Sequence, residues 1–476
     1  MMPFLAAAIP LHTLLYIGAG VATIIIMWSF SHWRAAVKVA LVIALLEGAL
    51  RKWVFPQGQE LMYFLKDVFL VGAYLRFFLA PGMEVRANKL RAPYIMVVVC
   101  CMFLMPAALN PNINSTLLAA YGVKIYVFYL PLMFMMPYLF WTKEEMVRQV
   151  TWYALIAIPI GLLGVAQWRA GGFSWLNVYA DQTAMDQTGA TTFGFGERVR
   201  ITGTFSYITG HTTFVIFFSA ITLAVLSLAE AKHKWLLMSV SLPLILGNAL
   251  MGGSRASLFS IGLVFVGFAL AAFSGRIGSN KNYTSMLMGG IAICAAGGLY
   301  FFGEALLHWQ TRYKTAGDSV ADRVIGMPLK AMQMGFSDAG FNGYGIGATH
   351  PAPEAIRRRL GIPAPKRKAP VFDTEMGQVL AELGIFGFGA WYWMRIAIIF
   401  TLIGAYLKCP PGAARPFILA AILISVPYLL LSVVLNHTAN ILLWALTGLG
   451  FIPLLEPAKV RRQVPVPRNL AAARRA

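Results

Sequence analysis

Residues 304–382 open with Glu304-Ala-Leu-Leu-His308-Trp309 and pass through Asp322-Arg323 and the glycine string Gly340-Phe-Asn-Gly-Tyr-Gly-Ile-Gly347. Two basic triplets follow, Arg357-Arg358-Arg359 and Lys366-Arg367-Lys368. The stretch ends on Asp373-Thr-Glu375 ahead of Gln378-Val-Leu-Ala-Glu382-Leu-Gly384. This is the largest polar island in a chain that is otherwise hydrocarbon. Of the 476 residues, 58% are hydrophobic and 12% charged, and the mean hydropathy is +0.68. Soluble domains carry about 25% charged residues, so the solvent implied here is lipid.

Working outward from the island, apolar runs recur near 11–30, 36–50, 61–80, 92–109, 118–140, 149–168, 204–229, 235–251, 256–273, 285–303, 377–406, 415–436 and 440–455. Each run of roughly 18–25 residues covers about 30 Å of bilayer core as a helix. Most runs have no polar face at the helical period, which excludes a soluble helical protein. The expected fold is an all-α polytopic membrane protein of about 12–13 spans, with the large loop between the tenth and eleventh. Its parts are an N-terminal bundle (1–303, with a loop at 169–203), the large loop (304–376), C-terminal helices (377–456) and a basic tail (457–476).

The formal charge of +20 fits the positive-inside rule better than nucleic-acid binding. With the C-terminus in the cytoplasm, segments 31–38, 81–91, 141–148, 230–234, 274–284, 407–415 and the tail collect the Lys and Arg residues. The opposite short loops offer only Arg51, Lys52 and Arg255. Loops 169–203 and 304–376 then lie on the outer side of the membrane. Cys100, Cys101, Cys294 and Cys409 lie in or beside apolar runs and show no metal-ligand or disulfide pattern. No repeat of 20–50 residues is visible.

Ionisable residues inside spans cost roughly 2.5–3.5 kcal/mol each on insertion scales and need a reason. Glu47 and Arg51 are spaced for an i,i+4 pair. Lys66-Asp67, Lys124 and Arg255 fall at a similar depth, and Arg395 lies inside the eleventh span. Taken singly they read as salt bridges and snorkelling side chains; together they suggest a polar cavity opening outward. Arg200 enters a span through Ile-Thr-Gly-Thr-Phe205, a setting suited to an anion. His211 reads as a hydrogen-bonded helix residue and His350, before a proline, as a turn residue. The glycines at 343–347 mark close backbone approach rather than a nucleotide fingerprint, since no strand precedes them. Neither outer loop contains Asp-x-Asp, so no metal and no cofactor is expected.

Four stretches, Arg200-Ile-Thr-Gly-Thr-Phe205, Gly253-Ser-Arg255-Ala, Arg323 ahead of Gly343-Tyr-Gly-Ile-Gly347, and Leu380-Ala-Glu382-Leu-Gly384-Ile-Phe-Gly387, carry a resemblance over roughly residues 150–400. The chain resembles the bacterial O-antigen ligase and O-antigen polymerase superfamily. The resemblance implies metal-free transfer of a glycan from a polyprenyl-pyrophosphate carrier to an acceptor hydroxyl, in exopolysaccharide, capsule or lipopolysaccharide synthesis. It also implies that the membrane is a bacterial inner membrane and the large loop periplasmic. By motif, Arg200 and Arg323 would hold the pyrophosphate, Arg255 would assist or brace, and Glu382 would position the helix entrance. The family's loop histidine and asparagine fall on Asp373-Thr374, so Asp373 or Glu375 would serve as base, or His350 would fold back in the missing histidine's place. Two other classes stand beside this one. A transporter would use Glu47, Lys66, Asp67 and Lys124 as its path, and an inactive relative would act with other polysaccharide-assembly proteins.

Overall fold

The computed structural model describes residues 11–55, 59–80, 90–178, 198–228, 231–275, 277, 289–290, 300, 302–314, 325–338, 340–370, 372, 374–410, 412 and 414–455. Arg323, Asp373, Cys294 and the basic tail lie outside the described residues. Regular structure among those described is helical. In chain order the main helices are α1 (Leu11–Ser31), α2 (Trp33–Ala49), α3 (Gln59–Tyr74), α4 (Arg91–Ala108), α5 (Thr116–Val127), α6 (Lys143–Leu155), α7 (Ala157–Arg169) and α8 (Ile208–Leu226). They continue as α9 (Leu242–Met251), α10 (Arg255–Phe273), α11 (Met327–Asp338), α12 (Pro351–Leu360), α13 (Glu375–Lys408), α14 (Arg415–Ser425) and α15 (His437–Gly450).

Apolarity on all sides sends α8 to the centre, where almost every side chain is buried. It packs against α6, α9, α10, α14 and α15. Small residues allow close approach elsewhere: a side chain at Gly48 of α2 would strike the backbone of Thr204–Ser206. Large apolar side chains stay exposed on the outside, among them Ile24 and Met27 on α1, Met102 on α4, Val266 and Leu270 on α10, and Phe400 on α13. In water such a surface would be untenable; it is the face a bilayer covers.

Six helical segments among the described residues are long and apolar enough to cross a membrane: Arg91–Ala108, Lys143–Arg169, Ile208–Leu226, Lys234–Met251, Arg255–Phe273 and Glu375–Lys408. Thr116–Val127 with Leu132–Tyr138, bent by 41°, makes a seventh. The larger count expected from hydropathy is not reached on this measure. The run at 36–50 forms a 17-residue helix ending in a π turn, and that at 440–455 forms one of 14 residues. The run at 285–303 lies mostly outside the described residues.

The helix that follows the polar island is interrupted. Gly384 takes φ 66° and ψ −174° inside α13, a conformation open to glycine. The break frees the carbonyls of Ala381 and Glu382, and the glycine string supplies their donors: Tyr344 N–H to Ala381 O (2.7 Å) and Gly345 N–H to Glu382 O (3.1 Å). Ile346 N–H continues the contact to Ala107 O on α4 (3.0 Å). A Cβ on Gly343 would lie 2.6 Å from Glu382 O, so the two backbones touch with nothing between them. Non-helical backbone in an apolar setting must be satisfied internally, and here one irregular segment satisfies the other.

Candidate functional site

The polar side chains of α2, α3 and α5 converge on one ring. Around Tyr63 stand the guanidinium of Arg51 at 5.3 Å and the ammonium groups of Lys66 and Lys124, each at 4.9 Å from the ring centre. The face of an aromatic ring attracts cations, more strongly where water is excluded. Two carboxylates answer the three cations. Glu47 pairs with Lys66 and, at 3.8 Å, with Arg51 one helical turn on. Asp67 pairs with Lys124 at 2.8 Å and accepts the Tyr129 hydroxyl at 2.6 Å. Lys66 is 1% exposed and Asp67 6%, so these are desolvated charges, stable because each has an opposite partner.

Two histidines complete the cluster. His437, the first residue of α15, meets Tyr63 edge-on at 5.0 Å and His350 at 5.9 Å between ring centres. Among the described residues neither His437 ring nitrogen, both buried, has a hydrogen-bond partner. His350 comes from the end of the glycine string and packs edge-on against Tyr121 at 5.4 Å. Its Nδ1 accepts the Ala352 N–H at 3.0 Å and so caps α12. An accepting Nδ1 fixes the neutral tautomer with its proton on Nε2. Burial, and then Lys124, lower the pKa of His350 to about 4, which keeps the ring uncharged at neutral pH.

Each histidine is held by a buried glutamate of α13. Glu382, 1% exposed, accepts four donors: Tyr126 hydroxyl (2.8 Å), Gly347 N–H (3.0 Å), Thr349 N–H (2.9 Å) and Thr349 hydroxyl (2.6 Å). It fixes the string one residue before His350. Glu375 accepts from Arg395 (2.6 Å) and from the backbone N–H groups of Val433 and Val434, the latter at 3.0 Å. Arg395 also donates to Tyr428 O. This ion pair holds the turn that delivers Asn436 and His437. Asn436 caps α15 through Ala439 N–H (3.2 Å) and donates to Thr213 of α8 (2.8 Å).

The expected site residues therefore fall in three places. Glu47, Arg51, Lys66 and Asp67 belong to the charged cluster around Tyr63. Glu375 and Glu382 lie behind it, with their oxygens already engaged. Arg200 and Arg255 belong to a neighbouring junction: Arg200 Nε donates to Gly252 O (3.0 Å) and Ile201 N–H to Met251 O (3.4 Å), which brings the two arginine motifs together. That junction reaches the cluster through Ser206, whose hydroxyl accepts from Arg51 at 3.0 Å. Lys52 braces it from below, donating to Gly203 O (2.8 Å) and Thr202 Oγ1 (3.1 Å).

Sequence alone does not single out His437 or Tyr63. The signal available for His437 was an Asn-His pair at a helix entrance; nothing in the sequence marks Tyr63. Among the described residues no cluster of His, Cys, Asp and Glu has the form of a metal site. Comparison with models of known protein families, with curated proteins and with solved structures finds no match.

Proposed function

We propose that this chain transfers a glycan from a polyprenyl-pyrophosphate carrier to an acceptor hydroxyl, in the manner of O-antigen ligases and polymerases. On this reading it sits in a bacterial inner membrane, with the cluster and the large loop facing the periplasm and the C-terminus in the cytoplasm. The observation that carries the reading is the convergence of Arg51, Lys66 and Lys124 with His350 and His437 around Tyr63. Among the described residues three cations face two carboxylates, a balance that suits an anionic ligand. In a water-poor setting such a balance stabilises a departing pyrophosphate far better than it would in water.

The division of labour follows from hydrogen positions. With Nδ1 occupied, His350 presents a donating Nε2–H and suits a phosphate or glycosidic oxygen. His437 has a free acceptor nitrogen and suits the acceptor hydroxyl, whose proton must leave as the new glycosidic bond forms. Arg200, Arg323 and Arg255 remain candidates for the pyrophosphate, and Asp373 for an auxiliary base.

Purified full-length protein in nanodiscs, supplied with lipid-linked oligosaccharide and acceptor, tests this directly. His437→Ala is expected to lower turnover by about 100-fold, in the range of general-base contributions, and Lys124→Ala by about tenfold. Turnover unchanged in both variants would sink the proposal. In cells, loss of polymer on gene deletion and failure of Arg200→Ala or Arg323→Ala to restore it is the matching expectation.

One observation favours a second reading. A helix interrupted at Gly384 and backed by irregular chain is also the plan of a transporter site. Solute flux in proteoliposomes, abolished by Lys66→Met and without glycan transfer, would select that reading.

A further inference from the structure

Beside the histidine cluster, the outer edge of the glycine string forms a recess that the chemistry above does not use. It has a volume of about 280 Å³ and is lined by Pro106, Asn110, Asn112, Asn342, Tyr344 and Arg367 among others. That is near the lower end for small-molecule pockets, the size for one sugar ring rather than a nucleotide.

Its walls are built rather than incidental. Asn112 grips residue 367 in both directions, donating from Nδ2 to Arg367 O (2.9 Å) and accepting Arg367 N–H on Oδ1 (2.8 Å). The same amide donates to Tyr344 O (2.9 Å). Asn110 donates to Asn342 O and Gly343 O, both at 3.1 Å. These amide hydrogens are spent on the frame. A ligand would meet the remaining lone pairs of the amide oxygens, the exposed Asn342, the Tyr344 ring, and the Arg367 guanidinium 4.8 Å from that ring's centre. Prolyl and aromatic surfaces suit the C–H faces of a pyranose, amides suit its hydroxyls, and a guanidinium fork suits a carboxylate substituent.

Charge narrows the ligand further. Six Lys or Arg residues stand between 357 and 368, while Glu354 is the only carboxylate in the sequence from 340 to 372. This basic strap is tied to the floor of the recess: Arg357 donates to Pro363 O (2.7 Å) and to Ile113 O, in the turn that carries Asn110 and Asn112. A neutral sugar would gain nothing from such a field, whereas an acidic polymer would be drawn in and held.

We propose that this recess is a subsite for an acidic saccharide unit, a uronic or similarly carboxylated sugar, of the glycan handled at the neighbouring cluster. The assignment rests on the transferase reading in taking a glycan as the ligand. An anionic phospholipid headgroup would satisfy the cations but leave the amide-lined floor unused.

The test is binding to the full-length chain in phosphatidylcholine nanodiscs, with tetragalacturonate and maltotetraose as probes. The acidic probe is expected to bind about tenfold more tightly than the neutral one, and Arg367→Ala to erase that preference. Because Asn112 holds residue 367 by its backbone, Arg367→Ala removes the guanidinium and keeps the frame. Asn342→Ala is expected to weaken both probes. Equal affinities, or a preference that survives Arg367→Ala, would overturn the assignment. So would loss of tetragalacturonate binding in phosphatidylglycerol nanodiscs, which gives the site to lipid. Turnover of lipid-linked donor in the same preparation separates the two proposals: turnover without acidic preference overturns the subsite alone, and preference without turnover upholds the subsite while the transferase reading falls.

Discussion

Glu382 and Thr349 meet twice, through the threonine hydroxyl at 2.6 Å and its backbone N–H at 2.9 Å, although they are 33 residues apart and the carboxylate is buried. Among the described residues no cation pairs with it, and four hydrogen-bond donors do the neutralising. Replacing the carboxylate leaves all four buried and unpaired, at about 1–3 kcal/mol for each such group before relaxation. Glu382→Ala is expected to lower the thermal midpoint in detergent sharply and to speed proteolysis within 340–350. Glu382→Gln keeps one acceptor oxygen and should fall between the two. A Glu382→Ala protein as stable as wild type would remove the carboxylate's structural role.

The Glu375–Arg395 pair predicts a different pattern. Arg395→Met strands a buried carboxylate and should cost about 3–5 kcal/mol, as for other broken buried pairs. The double change Glu375→Leu with Arg395→Met should recover a large part of that loss. It would not restore the N–H acceptors of Val433 and Val434, so His437 should remain displaced. Stability would then return without activity, and return of both would separate this pair from the site.

Backbone contact at the broken helix gives a third expectation. A methyl group at Gly384 would strike the Phe341 carbonyl, in a backbone conformation that side chains rarely adopt, whereas one at Gly389 meets nothing within 4 Å. Gly384→Ala should be strongly destabilising. Gly389→Ala should be neutral or stabilising by up to about 1 kcal/mol through helix propensity. Matching thermal shifts for the two variants would contradict the wedge.

His350 supplies the pH dependence. Its pKa is lowered from 6.5 to about 4 on folding, so between those values the unfolded chain binds more protons than the folded one. The stability it contributes is complete above pH 6.5 and is lost as pH falls toward 4, a change of about 3 kcal/mol. Protonation also destroys the Nδ1 acceptor that caps α12. Amide exchange over 351–360 should accelerate in that window. His350→Asn keeps a capping acceptor and should flatten the profile; an unchanged profile would assign the transition to another group.

What the sequence discloses here follows from which contacts are local. Apolar runs identify a helical membrane protein because lipid permits little else. Glu47 and Arg51 can be paired on paper because four residues bring side chains to one helix face. Lys66 comes to Glu47 from another helix, and Tyr63, which spacing pairs only with Lys66, also gathers Arg51 and Lys124 from elsewhere, relationships that no spacing encodes. Glu375 looks like a reactive carboxylate in sequence because the donors that occupy it sit 20 to 59 residues away. The span count is blurred because α2 passes into a π turn at Leu50 and α15 has only 14 residues, breaks that hydropathy does not register.

The glycine string has a consequence for how the protein is made. Its partners Asn110, Gly122 and Glu382 belong to early and late parts of the chain, and Asn110 is 232 residues from Asn342. Ribosomal synthesis is vectorial, and domains assemble in the order they emerge. Until α13 has been inserted, Tyr344 and Gly345 have no carbonyls to meet, and α12 lacks the anchor that sets its first residue. The cluster is thus assembled last, by the final third of the polypeptide, and a nascent chain cannot display a finished site before its membrane helices are in place.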